Sequence, residues 1–136
     1  MSKRNNNLGK KKYIKILLIL FFINTLIAIG GSVVKQKLGY DYVFHCWLDV
    51  THSVAWVLMI GLIFIIPLTY LNVWLGSFFI AITLIIAYAY ACLNYNEEIQ
   101  QGEYIVIEIQ QLGEKGIYYY KDVNIFIMKR SHEEYV

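Results

Sequence analysis

Three long apolar stretches dominate the hydrophobic pattern of this chain. Residues 16–34 contain no charged side chain, and two further apolar stretches cover residues 47–66 and 70–93. A helix of about 20 apolar residues spans the roughly 30 Å hydrocarbon layer of a bilayer. The pattern therefore predicts an α-helical integral membrane protein with three transmembrane helices.

Pro67 separates the second stretch from the third. A single helix over residues 47–93 would be roughly 70 Å long, more than twice the hydrocarbon thickness. Proline also removes a backbone donor and clashes with the preceding helical turn. We therefore expect the second and third helices to form a hairpin whose tip lies near residues 67–72.

Beyond residue 94 the pattern changes to short segments of alternating and β-branched residues. Ile105, Ile107 and Ile109 fall on one face of an extended segment, and glycines at positions 113 and 116 favour a turn after it. These signals predict a small C-terminal antiparallel β-meander with strands at about residues 103–110, 117–121 and 125–129. Such a meander has one apolar face and needs a covering surface.

The polar segments complete the predicted organisation. Residues 1–12 lack apolar periodicity and are interpreted as a flexible basic tail, residues 35–44 as an exposed loop, and residues 131–136 as a loose end. The predicted domains are thus a tail over residues 1–12, a transmembrane domain over residues 13–93 and a β-rich tail over residues 94–136.

Composition and charge support a lipid environment. Hydrophobic residues make up 58% of the chain and charged residues only 16%, whereas soluble domains carry about 25% charged residues. The first 15 residues contain six Lys or Arg and no acidic residue, while residues 94–136 contain eight Asp or Glu against four Lys or Arg. The positive-inside bias predicts a multi-pass cell-membrane protein with a cytoplasmic N-terminus and an extracytoplasmic C-terminus.

Two other interpretations of the basic front were considered. Because the small residues Ala28 and Gly30 follow a basic and then an apolar segment, a cleaved signal peptide is an alternative, although the apolar stretch is long for a signal core. Because the basic cluster directly precedes that stretch, an anionic lipid leaflet explains it better than nucleic acid does. No nucleic-acid partner is expected.

The candidate polar site lies at the start of the second helix. His45, Asp49 and His52 are spaced by four and three residues, so a helix would place them on one face. They are candidates for a metal site, a proton or pH switch, a receptor for a polar ligand, or a structural polar network. The predicted hairpin would bring further candidates close to them, namely Tyr88, Tyr90 and Asn94.

Two other sets of residues are singled out. Cys46 and Cys92 are expected at similar depth in the hairpin, where they would form either a disulfide or two buried thiols. The run Tyr118, Tyr119 and Tyr120 is a candidate interaction surface for a peptide, a carbohydrate or lipid headgroups. The spacing of Ser77 and Ala81 favours close helix packing.

The functional hypothesis follows from this inventory. The chain shows no recognisable catalytic, nucleotide-binding or cofactor-binding pattern, and no cofactor is predicted. Its layout resembles that of small bacterial accessory and self-protection proteins, including bacteriocin immunity proteins, although no motif assigns it to a family. We expect a non-enzymatic membrane protein that binds another membrane protein or a membrane-active peptide, as an immunity protein or a transporter accessory subunit.

The sequence is compatible with two alternatives to a non-enzymatic binding protein. The first is a small membrane enzyme, or a metal- or proton-handling protein, that uses His45, Asp49 and His52. The second is a small channel, which would require several copies because three helices with so few polar residues cannot line a pore.

Overall fold

The computed structural model of the protein describes residues 2–135. It contains three helices and one five-stranded antiparallel sheet. In chain order the elements are α1 (Ser2–Leu38), β1 (Tyr42–Phe44), α2 (Cys46–Leu71), α3 (Val73–Asn94), β2 (Ile99–Gln101), β3 (Tyr104–Gln111), β4 (Glu114–Asp122) and β5 (Ile127–Tyr135).

The chain forms two compact units. The helical unit extends to Gly31 and resumes from His52 to Cys92. The β unit comprises Ser32–Thr51 and the chain from Leu93 onward. The C-terminal turns of α1 and the first turns of α2 therefore belong to the β unit.

The three predicted apolar helices are present, and each is long and apolar enough to cross a membrane. The first begins much earlier than expected, because α1 starts at Ser2 rather than near residue 16. Residues 2–12, predicted to belong to a flexible tail, are therefore helical, and Met1 lies outside the described residues. Lysine and arginine are good helix formers, and extending an existing helix avoids the cost of nucleation. At 37 residues, α1 is about 55 Å long.

The turn between the second and third helices lies at Asn72. Helix α2 continues through Pro67 to Leu71, so proline does not end it as the sequence suggested. Instead, the Asn72 side chain accepts the backbone N–H of Trp74 at 2.9 Å, which is the hydrogen bond of a helix N-cap. The predicted tip region is correct, but an asparagine cap forms the turn.

Apolar stripes hold the helical unit together. On α2 the buried residues recur every three or four positions and form one face: His52, Ala55, Met59, Leu62, Ile65 and Thr69. Helix α1 contributes Leu17 to a cluster with Leu62 and Ile65, and it contributes Ala28 to a second cluster with Ala55 and Met59. At the other end of the unit, Lys10 donates a hydrogen bond to the carbonyl of Tyr70.

Glycines allow the helices of this unit to approach closely. A Cβ atom added at Gly76 would lie 2.9 Å from the Cβ of Thr69, and one added at Gly61 would lie 3.1 Å from the Thr83 hydroxyl. Ser77, expected to favour close packing, has its hydroxyl 3.3 Å from that of Tyr13. Small residues therefore serve packing within this chain, as helix interfaces in lipid require.

The sheet contains two more strands than predicted, in the order β1-β5-β4-β3-β2. Strand β1 lies in the segment expected to be a loop, and β2 precedes the first predicted strand. Strand β5 continues to Tyr135, so residues 132–135, expected to be loose, pair with β4, and Val136 lies outside the described residues. The two extra strands have only three residues each, too few to show an alternating pattern.

The core of the β unit lies on one face of this sheet. As predicted, Ile105 and Ile107 share that face, where they cluster with Tyr120 and Met128. Ile109, Val43 and Cys46 pack against the cluster. Cys46 is the first residue of α2, so the core of the sheet includes the start of a helix.

A change at one glycine of α1 tests the packing of the helical unit. A Cβ at Gly31 would collide with the imidazole of His52, whose Nε2 would be 2.9 Å away, whereas a Cβ at Gly30 would have no neighbour within 4 Å. We expect Gly31→Ala to destabilise the protein by about 1–3 kcal/mol through overpacking, and Gly30→Ala to be neutral. Thermal unfolding in detergent measures both; equal melting temperatures for the two variants would contradict this packing.

Candidate binding site

A single histidine connects three segments of the β unit. His45 lies between β1 and α2 and is 7% exposed. Its Nδ1 is 2.9 Å from a carboxylate oxygen of Glu98. Its Nε2 is 3.0 Å from Asp122 and 2.8 Å from the carbonyl oxygen of Asn124. The imidazole thus joins the start of α2 to the segment before β2 and to the β4–β5 turn.

The surroundings of His45 favour its protonated form. Carboxylate and carbonyl oxygens only accept hydrogen bonds, so both ring nitrogens must donate, which requires the imidazolium. Burial alone lowers the pKa of His45, but the hydrogen bonds to Glu98 and Asp122 and the charge of Glu98 outweigh it and leave the pKa raised.

The same carboxylate caps helix α2. Glu98 accepts the backbone N–H of Cys46 at 2.6 Å with one oxygen while its other oxygen bonds His45. A negative charge at a helix N-terminus is stabilised by the unpaired N–H groups and the helix dipole. Trp47 completes the junction, since its indole N–H donates to the carbonyl of Ile125 at 3.0 Å.

Asp49 and His52, expected to act together with His45, have partners of their own. Asp49 forms an ion pair with Lys35 of α1. The Nε2 of His52 donates to the carbonyl of Ala28 at 2.9 Å. With that nitrogen protonated, it cannot also accept from the Trp56 indole, whose nitrogen lies 3.3 Å away.

The three residues are therefore used in separate contacts. Within residues 2–135, no group of three or more His, Cys, Asp or Glu is arranged to hold a metal ion. The hypothesis of one shared polar site loses the geometry on which it rested, since His45 precedes the first residue of α2 and the three residues have different partners.

The remaining candidates, Tyr88, Tyr90 and Asn94, all lie on α3. Tyr88 and Tyr90 belong to the helical unit, and Asn94 is the last residue of α3, in the β unit. Cys46 and Cys92 are both free thiols, and the prediction of two buried thiols is wrong as well, because Cys46 is half-buried and Cys92 is exposed. The pairing was predicted from a hairpin centred near residue 69. The actual turn at Asn72 shifts the residue opposite Cys46 by about six positions along the chain.

The three consecutive tyrosines are divided between the two faces of the sheet. Tyr120 is part of the core, and Tyr118 packs against that core. Tyr119 points to the opposite face, where its ring stacks on His132 of β5 at 4.2 Å. Side chains alternate along a strand, so three adjacent tyrosines cannot form one interaction surface.

Around Tyr119 an aromatic patch covers the outer face of the sheet. The ring of Tyr104 meets Tyr119 edge-on at 6.2 Å and His132 edge-on at 5.4 Å. The ammonium of Lys121 lies over the Tyr104 ring at 5.6 Å. We define Tyr104, Tyr119 and His132 as the aromatic patch. Sequence reasoning missed Tyr104 and His132, because only strand register brings them together.

The hairpin between β3 and β4 ends in an unusual residue. Leu112 is fully exposed and has a φ of 47°, and the next residue, Gly113, has a φ of 89°. Two positive φ angles match the tight turn that Asn-Gly normally occupies, because a branched side chain is strained there. Leu112 therefore occupies a position that disfavours leucine both by backbone conformation and by exposure.

A cleft of about 420 Å³ lies over the core face of the sheet. Its floor consists of apolar and aromatic side chains: Ile107, Ile109, Tyr120 and Met128. Two cations, Lys35 and Arg130, line it, together with the Asp49 carboxylate that is paired with Lys35. This volume lies within the range of small-ligand sites.

The chain matches no protein-family model, no curated protein and no solved structure.

The pH dependence of stability tests the role of His45. A histidine whose folded pKa is raised stabilises the fold fully below its unfolded pKa, near 6.5, and this contribution is lost as the pH rises through the folded pKa. We therefore expect the melting temperature in detergent to fall from pH 6 to pH 9 because of His45. His45→Gln should lower stability at pH 6 by about 2–3 kcal/mol and flatten this pH profile.

The exposed histidine of β5 supplies the matched control. His132→Gln should leave the slope of the profile unchanged, because the hydrogen-bond partner of His132 among residues 2–135 is the Ser131 hydroxyl and not a carboxylate. If His45→Gln kept the slope of the unchanged protein, another group would be responsible.

Proposed function

We propose that this chain is a non-enzymatic membrane protein of the bacterial cell membrane whose β unit recognises a membrane partner or a membrane-active peptide outside the cell. An immunity protein or a transporter accessory subunit has this role. Three apolar helices serve as the anchor, and the basic N-terminal segment favours a cytoplasmic N-terminus. Lipid and the recognised protein or peptide are then its partners.

The hairpin tip carries this proposal. A fully exposed leucine at positive φ has no benefit for folding, since asparagine or glycine would relieve the backbone and remove apolar surface from water. Strain of this kind persists at sites selected for something other than stability. An apolar side chain on a rigid two-residue turn is suited to insert into a partner's apolar groove.

The aromatic patch adds a second contact surface. Tyr104 and Tyr119 are half-buried. Tyrosine combines a large apolar ring with a polar hydroxyl and loses few rotamers on binding, which is why binding surfaces are enriched in it. Here three rings pack against one another, so they are held in place before any partner arrives.

The alternative of a small enzyme or metal-handling protein has weaker support. It depended on a joint site formed by His45, Asp49 and His52, and these residues have separate partners. His45 is fully occupied by structural hydrogen bonds at both ring nitrogens, so neither nitrogen is available for a ligand or proton transfer without breaking the junction.

The hairpin tip allows a test that separates function from folding. Leu112→Asn should stabilise the protein by about 0.5–1 kcal/mol, because asparagine tolerates positive φ. The same change should abolish partner recognition. We would place a photo-crosslinking amino acid at the exposed position Gln110 and compare crosslinked species from cells with and without Leu112→Asn. Sensitivity of the same cells to candidate membrane-active peptides provides a second readout.

A second crosslinking position supplies the control. Val123 is exposed in the β4–β5 turn, away from the hairpin tip in sequence, and should give none of the species obtained from Gln110. Unchanged crosslinks and unchanged peptide sensitivity in Leu112→Asn would contradict the proposal, since that variant is expected to fold at least as well as the original chain.

The proposed orientation is tested by protease protection. A tag placed after Val136 should be cleaved by external protease in intact cells with a permeable outer layer, and a tag before Met1 should be protected until the membrane is opened. Three crossings place the two ends on opposite sides. Protection of both tags would exclude an external β unit.

A further inference from the structure

Arg130 is the one cation lining the core-face cleft that is not paired with a carboxylate within residues 2–135. Its guanidinium carbon lies 4.2 Å from the centre of the Tyr40 ring, and Nη1 donates to the Tyr40 hydroxyl at 3.2 Å. Its Nε is buried and has no hydrogen-bond acceptor. A buried donor without a partner costs about 1–3 kcal/mol, and native proteins rarely leave one.

The second cation of the cleft shows the contrast. Lys35 is paired with Asp49 and lies over the ring of Phe44 at 5.2 Å. Asp41 and Glu133 line a second cleft that Arg130 also lines, but within residues 2–135 neither carboxylate forms an ion pair with Arg130. The cleft therefore retains one uncompensated positive charge beside an apolar floor.

We propose that this cleft binds the headgroup of an anionic phospholipid, with the phosphodiester at Arg130 and the glycerol and first acyl carbons over Ile109 and Met128. Guanidinium groups bind phosphate oxygens through two parallel N–H donors, which would include the unpaired Nε. The nearby acidic residues disfavour a multiply charged anion. One negative charge attached to an apolar body is the chemistry that the cleft complements.

The helix ends point to lipid as the source of that phosphate. Lys35 near the end of α1 and Cys46 at the start of α2 both line the cleft, and both helices are candidate membrane spans. If these helices cross the membrane as proposed, residues at their ends lie at headgroup level, where basic pockets bind lipid headgroups. The inference rests on the proposed membrane location and not on the identity of the recognised partner.

The Tyr40 side chain covers the Arg130 guanidinium. It is 77% exposed and follows Gly39, whose φ of 78° gives the backbone a conformation that glycine adopts freely. The ring can leave the guanidinium at the cost of one cation–π contact and one hydrogen bond, both of which a phosphodiester replaces.

Native mass spectrometry of the full chain released from nanodiscs tests the site. With equal amounts of phosphatidylglycerol and phosphatidylcholine, we expect the protein to retain one phosphatidylglycerol. Arg130→Gln should reduce that species roughly tenfold through loss of the charge-assisted hydrogen bonds. Ile109→Trp should reduce it similarly by filling the cleft without touching the arginine. Lys121→Gln is the control, since Lys121 is a β4 cation on the opposite face.

Several results would overturn the inference. The first is that Arg130→Gln and Ile109→Trp both retain lipid as the unchanged protein does, and the second is that the two lipids are retained equally. The third is that millimolar inorganic phosphate displaces the lipid. The fourth is that an apolar peptide with a free C-terminal carboxylate displaces it. The last two would assign the site to free phosphate or to a peptide. The two proposals are tested separately, because Leu112→Asn changes the hairpin tip and leaves the residues of the lipid site unchanged. If this variant lost its crosslinked partner and still retained the lipid, the two sites would be shown to act independently.

Discussion

The imidazolium of His45 is the interaction on which the β unit depends. The unit is assembled from two separate parts of the chain, and the five-stranded sheet needs both, because β1 comes from the first part and the other four strands from the second. His45 follows β1 directly and bonds Glu98 and Asp122 of the second part. Removing the proton would leave two carboxylates facing a neutral ring that can donate only once.

This charged junction also explains how a small sheet gains a core. Antiparallel strands with one apolar face are marginal by themselves. Glu98 ties the segment before β2 to the first turn of α2, and this places Cys46 against Ile107 and the other core residues. A helix end thus covers part of the sheet's apolar face. In the helical unit, by contrast, the helices are held together by close packing at glycines and not by a charged hydrogen-bond junction.

The features predictable from sequence were those encoded in local patterns. Apolar length identified the three helices, and alternation identified the core isoleucines of β3. Sequence failed where the deciding contact is distant: the three residues of β1 pair with β5, some 85 positions later, and His45 finds its partners 53 to 79 positions away. Spacing predicted that His45, Asp49 and His52 share one helical face. It cannot reveal that Asp49 pairs with Lys35 or that His52 bonds the carbonyl of Ala28. Asn72 could have been recognised, as a polar N-cap residue within an apolar stretch.

Consistency between local preference and global fold is expected throughout a protein, so its violations are informative. Most polar groups in this chain follow the rule: the buried histidines are bonded, and Lys35 is paired with Asp49. Leu112 and Arg130 do not follow it. The first exposes an apolar side chain on a strained turn, and the second buries a donor without an acceptor. The two residues lack different partners: Leu112 lacks an apolar neighbour, and Arg130 lacks an anion. A single ligand would not correct both, which is why we assign the hairpin tip to a protein or peptide and the cleft to a lipid headgroup.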